Sequence, residues 1–488
     1  MDAGRNPVTG QIQCRSQFDP GVATQFGSST LLAGKLAADI AACVPYNPFG
    51  GRADNAAAIK YFEYHEHDTA KMDQLDIGGF VGGTTSSFFN LPGGPVRFAL
   101  GAEYRKENIA YVQDPYAGAG FTNALSGLGF AAGPFKVREA YGELNVPLLK
   151  DLTFVKDLTL HGAARVSDYN SSAGTVWTYN YGGDYAPARD IRFRVNYGRA
   201  VRAPNLSETS GSLTPNFANS FQDPCRASNI GSGTQYRAAN CAADLGALLN
   251  SPSFANQAAY SLPVISGSNP NLTAEKADSW TYGVVVSPRW VPNLTISADY
   301  YDIKVKGVIT SVSAQTIANS CYDLPTLDNL FCRNFTRYRG SAPGPLGEIP
   351  GQILGNSLIQ APLNFAKRVR RGIDTQVNYR TGLFSGIRLS TNLIYTHVIK
   401  SSNYVNPQDP NFEDRLLTEL GFPDDEFVWD VDLKKGPFTL GYRMHYLSAM
   451  YLNFFEDFNS LQGRAPQNAD YADRQKYPAV MYHGLRGQ

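Results

Sequence analysis

Residues 190–208 read DIRFRVNYGRAVRAPNLSE, and their first half alternates cleanly. Ile191, Phe193, Val195 and Tyr197 fall on one face, Arg192, Arg194 and Asn196 on the other. Side chains of a strand repeat every two residues, so this segment is a strand with one apolar and one strongly polar face. Arg202-Ala203-Pro204 stops it, and a long polar stretch follows. The segment reads as a wall strand of a β-barrel rising to a rim, with lipid on the apolar side and a polar lumen on the other.

Working outward, the same unit recurs. Residues 75–89 alternate weakly, LPGGP at 91–95 turns, and Val96, Phe98, Leu100, Ala102 and Tyr104 then alternate with Arg97, Glu103 and Arg105. That pair reads as an antiparallel hairpin. Further strands are predicted over 137–147, 158–167, 176–185, 279–286, 294–305, 373–380, 387–396, 427–434 and 438–446, with the start of another at 480–488. Within 294–305 the apolar phase passes from Leu294, Ile296, Ala298 and Tyr300 to Tyr301, Ile303 and Val305. A one-residue slip predicts a β-bulge at Tyr300/Tyr301. Residues 112–136, 202–276, 307–368, 399–425 and 448–478 read as long polar loops. Residues 1–74 read as a loop region, with a short helix expected over 31–42, and residues 75–488 as the wall.

Tight turns thus alternate with long loops along about thirteen strands of about ten or more residues, the length a tilted membrane strand needs. Soluble sandwiches have shorter connections, and their cores do not tolerate a face of arginines and carboxylates. The expected fold class is all-β: a transmembrane antiparallel β-barrel of outer-membrane type, with short periplasmic turns and long extracellular loops.

Composition agrees. The formal net charge is zero, so no basic face argues for nucleic acid. Mean hydropathy is −0.27, as expected where lumen and loop residues dilute a lipid-facing half. No run of about 20 apolar residues offers a transmembrane helix. The N-terminus carries no basic-then-apolar signal, which leaves a cytoplasmic chain or a start that is missing. The cysteines argue for the second. Six of them fall into local pairs in polar sequence: Cys14/Cys43, Cys225/Cys241 and Cys321/Cys332. Proximity alone suggests this pairing among about 15 connectivities, and disulfides imply an oxidising compartment.

Several stretches resemble the barrel of TonB-dependent outer-membrane receptors. FALGAEYRKE at 98–107 is similar to a strand common in that family. NYGRAVRAPNLSE at 196–208 resembles its strand-to-loop signature, with Val201 where an aromatic often stands. Residues 269–309, NPNLTAEKADSWTYGVVVSPRWVPNLTISADYYDIKVKGVI, resemble its loop end followed by a hairpin closing on "DIK", and VRRGIDTQVNY at 369–379 resembles a later strand. Full receptors of the family have a plug domain inside a barrel of about 22 strands, and a short box that engages TonB. Neither plug nor box is visible here. The chain is therefore expected to be the C-terminal part of such a barrel, beginning near roughly the tenth strand, from an incomplete or truncated gene product.

The resemblance implies uptake rather than catalysis: capture of a scarce, large solute (a siderophore, vitamin or oligosaccharide) at extracellular loops and TonB-powered passage through the barrel. The implied partners are outer-membrane lipid, the TonB complex and the solute, with no cofactor. Candidates on the lumen path are Arg97, Glu103, Arg105, Arg165, Arg192, Arg194, Asp374, Arg380, Arg388 and Arg443, and for each a paired wall role competes with a solute role. At the rim, Arg202, Pro204 and Glu208 are expected to shape the strand-to-loop corner. His65 and His67 flank Glu66, and Asp424-Asp425-Glu426 are acidic, but both read as polar loop rather than metal sites. There is no G-x-S-x-G, H-E-x-x-H or P-loop, so no enzyme is expected. A passive porin-like channel and a soluble β-rich binding protein or adhesin are the competing readings.

Overall fold

The computed structural model describes residues 3–19, 21, 37, 40–118 and 130–488. They form two compact units: residues 1–69 with 113–124, and residues 70–112 with 125–488.

In the smaller unit, Ala3–Arg5 pairs with Ile12–Cys14, Cys14 is bonded to Cys43, and Ala56–Phe62 is helical. Asp114 organises its end. The Tyr64 hydroxyl donates to Asp114 at 2.7 Å and the His67 backbone N–H at 3.2 Å. The tyrosine's hydrogen bond holds the Asp114 carboxyl below its ordinary range. The helix expected over residues 31–42 lies mostly outside the described residues.

The larger unit is built on one antiparallel sheet. In chain order its strands are β1 Thr69–Thr84, β2 Arg97–Val112, β3 Phe130–Leu152, β4 Val155–Tyr169, β5 Thr175–Ala188, β6 Ile191–Arg202 and β7 Glu275–Val286. They continue with β8 Leu294–Thr310, β9 Leu363–Gly382, β10 Arg388–Tyr404, β11 Asp425–Lys435, β12 Phe438–Leu447 and β13 Val480–Gly487. Each pairs with its sequence neighbours, so the thirteen form a single path. Short connections such as 153–154, 189–190 and 436–437 lie at one end of the sheet. At the other end, all but the short link 170–174 are long, including 203–274 and 311–362. No helix among the described residues is long and apolar enough to cross a membrane.

Three expectations change. β1 begins at Thr69, ahead of the boundary placed at Leu75. The β7–β8 ladder runs without interruption from Lys276↔Lys306 to Val286↔Ile296, so there is no bulge at Tyr300/Tyr301. The register shifts instead at Lys306/Val308 and Val308/Ile309, on the β9 side. Tyr301, Ile303 and Val305 therefore lie on the polar face, and Tyr301 packs over Gly372, whose missing side chain leaves the space. Finally, the segments read as loops over 202–276 and 307–368 are folded. Strand Thr214–Phe221 pairs with Tyr260–Ser266, which pairs with Ile359–Gln360, and helices Arg237–Leu245 and Ala314–Asp323 pack beside them.

Candidate functional site

On the polar face, register decides which charges meet. Glu103 stands opposite Glu139. Like charges directly opposed destabilise a sheet, and Arg165 answers both, 2.6 Å from Glu103 and bonded also to Glu139. Arg192 lies 3.0 Å from Asp157. Arg194 Nε donates to Asp299 at 2.7 Å, and Arg443 lies 2.8 Å from Asp430. Arg105 is 3.0 Å from Glu107, and Asp374 accepts from the Thr396 hydroxyl at 2.8 Å. Arg97 lines a groove of about 750 Å³ at the short-turn end with Lys150, Lys156 and Arg189. Arg380 and Arg388 lie on β9 and β10 with no ion pair among the described residues. Arg165, Arg192, Arg194 and Arg443 are thus neutralised by a neighbour one or two strands away, and Arg105 by a neighbour on its own strand. Sequence reading places Glu139 on the polar side of its strand without a partner, and it misses Asp157, Asp299 and Asp430. Each lies on a strand, and only the pairing of strands shows which arginine it faces.

At the rim, Arg202 holds Glu208 at 3.0 Å and Glu275 at 2.7 Å. Asn205 and Glu208 form a reciprocal capping box at the start of helix Leu206–Ser210, which satisfies the free N–H groups of that turn. Pro204, Arg202 and Glu208 therefore sit at the corner where β6 turns into the long segment.

Above the rim, the two long segments share one core of Phe221, Leu245, Phe254, Leu262, Val264, Ile317, Tyr322, Phe331 and Ile353, among others. Two disulfides, Cys225–Cys241 and Cys321–Cys332, stitch this cap from within. Two buried ion pairs join its halves: Arg337 with Asp223 at 2.8 Å, and Arg237 with Asp323. Burial opposes the charge on Arg337, and Asp223 more than restores it, so the guanidinium stays ionised. Burial raises the phenol of Tyr322, whose hydroxyl donates to Asp244 at 2.6 Å. A groove of about 600 Å³ opens on the cap, lined by Asn216, Phe217, Asn219, Gln222, Asn319 and Gln360 among others. Arg237, the cation in its lining, is already held by Asp323.

Elsewhere at the same end, carboxylate oxygens of Asp414, Glu419 and Glu456 gather within 4.8 Å of one another. Asp424 accepts from Ser448, Asp425 from Tyr395, and Glu426 meets His445 at 2.7 Å, so the acidic run expected as loop opens β11 and is hydrogen-bonded throughout.

Comparison with known proteins agrees with this architecture. No curated protein sequence matches the chain. Among solved structures it is similar to the siderophore receptor PirA from Acinetobacter baumannii, with 11% identity, 85% of this chain and 48% of that chain covered, and a TM-score of 0.50. It is also similar to a mutant of the ferric enterobactin receptor PfeA from Pseudomonas aeruginosa in complex with enterobactin, with 16% identity, 86% and 47% covered, and a TM-score of 0.52. The chain thus spans about half the length of the solved receptors it matches. The family described as TonB dependent receptor-like, beta-barrel matches residues 42–486. The chain belongs to the TonB-dependent receptor β-barrel family.

Proposed function

We propose that this chain supplies wall and extracellular cap to an outer-membrane receptor of a Gram-negative bacterium, one that takes up a scarce, large solute at the expense of TonB-transmitted energy. The observation that carries the reading is the cap: two long segments from one end of a barrel wall, folded on a common core and pinned by two disulfides. Such pinning reduces the ordering cost of ligand capture. The apolar face of the wall supports membrane residence. Phe193, Val195, Trp280 and Tyr282 leave between 38% and 48% of their surface bare, a continuous band that water disfavours and lipid accepts. The wall runs from Thr69 to Gly487 and carries the cap between its strands. The similar solved structures are siderophore receptors, so a ferric siderophore is the solute class to try first, ahead of a vitamin or an oligosaccharide. TonB is the energy-transducing partner, no cofactor takes part, and the receptor performs no reaction on its solute.

The test is uptake of radiolabelled ferric siderophores by cells expressing the gene with its natural upstream sequence, with and without a proton-gradient uncoupler. Gradient-dependent uptake that disappears on deletion of residues 203–274 supports the reading. Gradient-independent conductance by the isolated chain points to a passive porin-like channel. Recovery of the chain in the aqueous phase without detergent points to a soluble binding protein.

A further inference from the structure

The unbroken β7–β8 register has a consequence on the apolar face. Tyr181, Tyr197 and Trp280 adjoin there with ring centroids 5.2 and 4.8 Å apart, and Tyr282 and Tyr300 continue the band at 6.3 Å. A belt of this kind marks a membrane–water interface. One row nearer the long-loop end, Arg199 stands opposite Asp278 and pairs with it at 2.8 Å. One row further, about 7 Å along the strands, three lysines stand side by side on three adjacent strands. Lys276 of β7 is opposite Lys306 of β8, and Lys306 is opposite Lys367 of β9.

Like charges directly opposed repel, and elsewhere on this wall such a conflict is resolved by a built-in counter-charge, as Arg165 resolves Glu103 and Glu139. Here, among the described residues, no ion pair engages any of the three ammonium groups. The neighbouring carboxylates of this face are already taken: Asp278 by Arg199 and Tyr197, Asp302 by Lys304 and Arg371, and Glu413 by Lys400. Lys367 lies 3.9 Å over the Tyr404 ring, which orients it without neutralising it. Lys276 and Lys306 are exposed. The row is thus a triple cation with no bonded counter-charge, Lys306 sharing only the field of Asp278, which Arg199 already holds, and it lies just beyond an aromatic belt, at the depth where lipid headgroups lie.

We propose that Lys276, Lys306 and Lys367 together hold a phosphate group of an anionic lipid in the outer leaflet. The proposal rests on the outer-membrane reading above. A phosphate dianion is compact enough to bridge neighbouring lysines, and its lipid anchor brings it to the sheet face at that height. The wall then has a fixed vertical position in the membrane, set by charge above and aromatic rings below.

The test uses the full chain purified in detergent from membranes of expressing cells, after alkaline carbonate extraction of those membranes. Native mass spectrometry follows retention of an acylated disaccharide lipid carrying two phosphates, of the same lipid dephosphorylated, and of inorganic phosphate. Retention of the phosphorylated lipid is expected, falling about fivefold for each single Lys→Gln change and about a hundredfold for Lys276→Gln/Lys306→Gln/Lys367→Gln together. The corresponding triple Lys→Arg variant is expected to retain it. Equal retention of the phosphorylated and dephosphorylated lipids, or an unchanged triple Gln variant, overturns the proposal. So does inorganic phosphate that displaces the lipid at equal concentration, which assigns the row to free phosphate. Release of the chain by carbonate overturns the membrane reading itself, a separate result seen before any lipid is added.

Discussion

Arg194 of β6 and Asp299 of β8 are bonded across the intervening strand β7, with Arg194 Nε donating to Asp299 Oδ1 at 2.7 Å. Gly283 lies between them in register. A Cβ at Gly283 would stand 2.0 Å from Asp299 Oδ1 and 2.7 Å from Arg194 Nε. The glycine is therefore the notch through which a charge on one strand reaches its partner two strands away.

This relationship gives a double-mutant cycle. Arg194 is half exposed, so its bridge contributes at most about 1 kcal/mol. Arg194→Ala is expected to lower the stability of the wild-type wall by about that amount and to have almost no further effect in a Gly283→Ala background. Urea titration of the heat-modifiable band on gels measures it. A full, additive Arg194→Ala cost in the Gly283→Ala protein would show that the bridge does not depend on the notch.

Removing the cap disulfides is expected to act locally. Cys225→Ser/Cys241→Ser and Cys321→Ser/Cys332→Ser each release a bridge inside the cap core, costing the cap about 2–4 kcal/mol. Limited proteolysis of the variants is expected to cut within residues 203–274 and 311–362 while the wall stays protected. Cleavage patterns identical to wild type would show that the cap core holds without them.

The Asp223–Arg337 pair is fully buried. Asp223→Ala leaves the Arg337 charge without its main partner, and a cost of about 3–5 kcal/mol to the cap follows. The apolar double replacement Asp223→Leu/Arg337→Met is expected to recover a large part of that. Chemical denaturation followed by the protease sensitivity of the cap reads both. A double variant weaker than Asp223→Ala would mean that Arg337 acts chiefly through its other partners, Tyr322 and Asp244.

Burial beside Glu456, Asp414 and Asp457 pushes the Glu419 carboxyl up to about 7, and burial raises Glu456 as well. The Phe455 backbone N–H works against this at Glu419. Arg415 lies over the Phe455 ring and Lys476 over Tyr451, contacts that orient both cations and leave them charged. A carboxyl whose folded value is raised adds stability that is full below its unfolded value of 4.5 and is lost as pH rises through about 7. Hydrogen exchange over residues 414–458 is therefore expected to quicken between pH 5 and pH 8, and Glu419→Gln to flatten that dependence. Exchange equally pH-dependent in Glu419→Gln, after correction for intrinsic rates, would assign the effect elsewhere.

How much of the site was legible depends on how local its cause is. Arg194 was placed on the polar face by alternation alone, because the pleat puts every second side chain there whatever the strand's neighbours. Its partner Asp299 lies 105 residues away and becomes visible only when strands are set in register. The slip inferred at Tyr300/Tyr301 shows the opposite error. Apolar identity changed faces, and the backbone did not, because beyond the aromatic belt the outward side no longer needs to be apolar. Lys304 and Lys306 could then face outward and Tyr301 could cover Gly372.

The sequence by itself determined the wall: the period-two strands, their polar and apolar faces, and the order of short turns and long connections. These follow from backbone geometry acting over a few residues. Only the tertiary structure decided that residues 203–274 and 311–362 are one folded cap. Its ties, Asp223 to Arg337 and Arg237 to Asp323, join positions 114 and 86 residues apart, and they stabilise nothing until both segments leave the same rim. No local periodicity records such pairs, because the wall strands, not the segments themselves, bring them together.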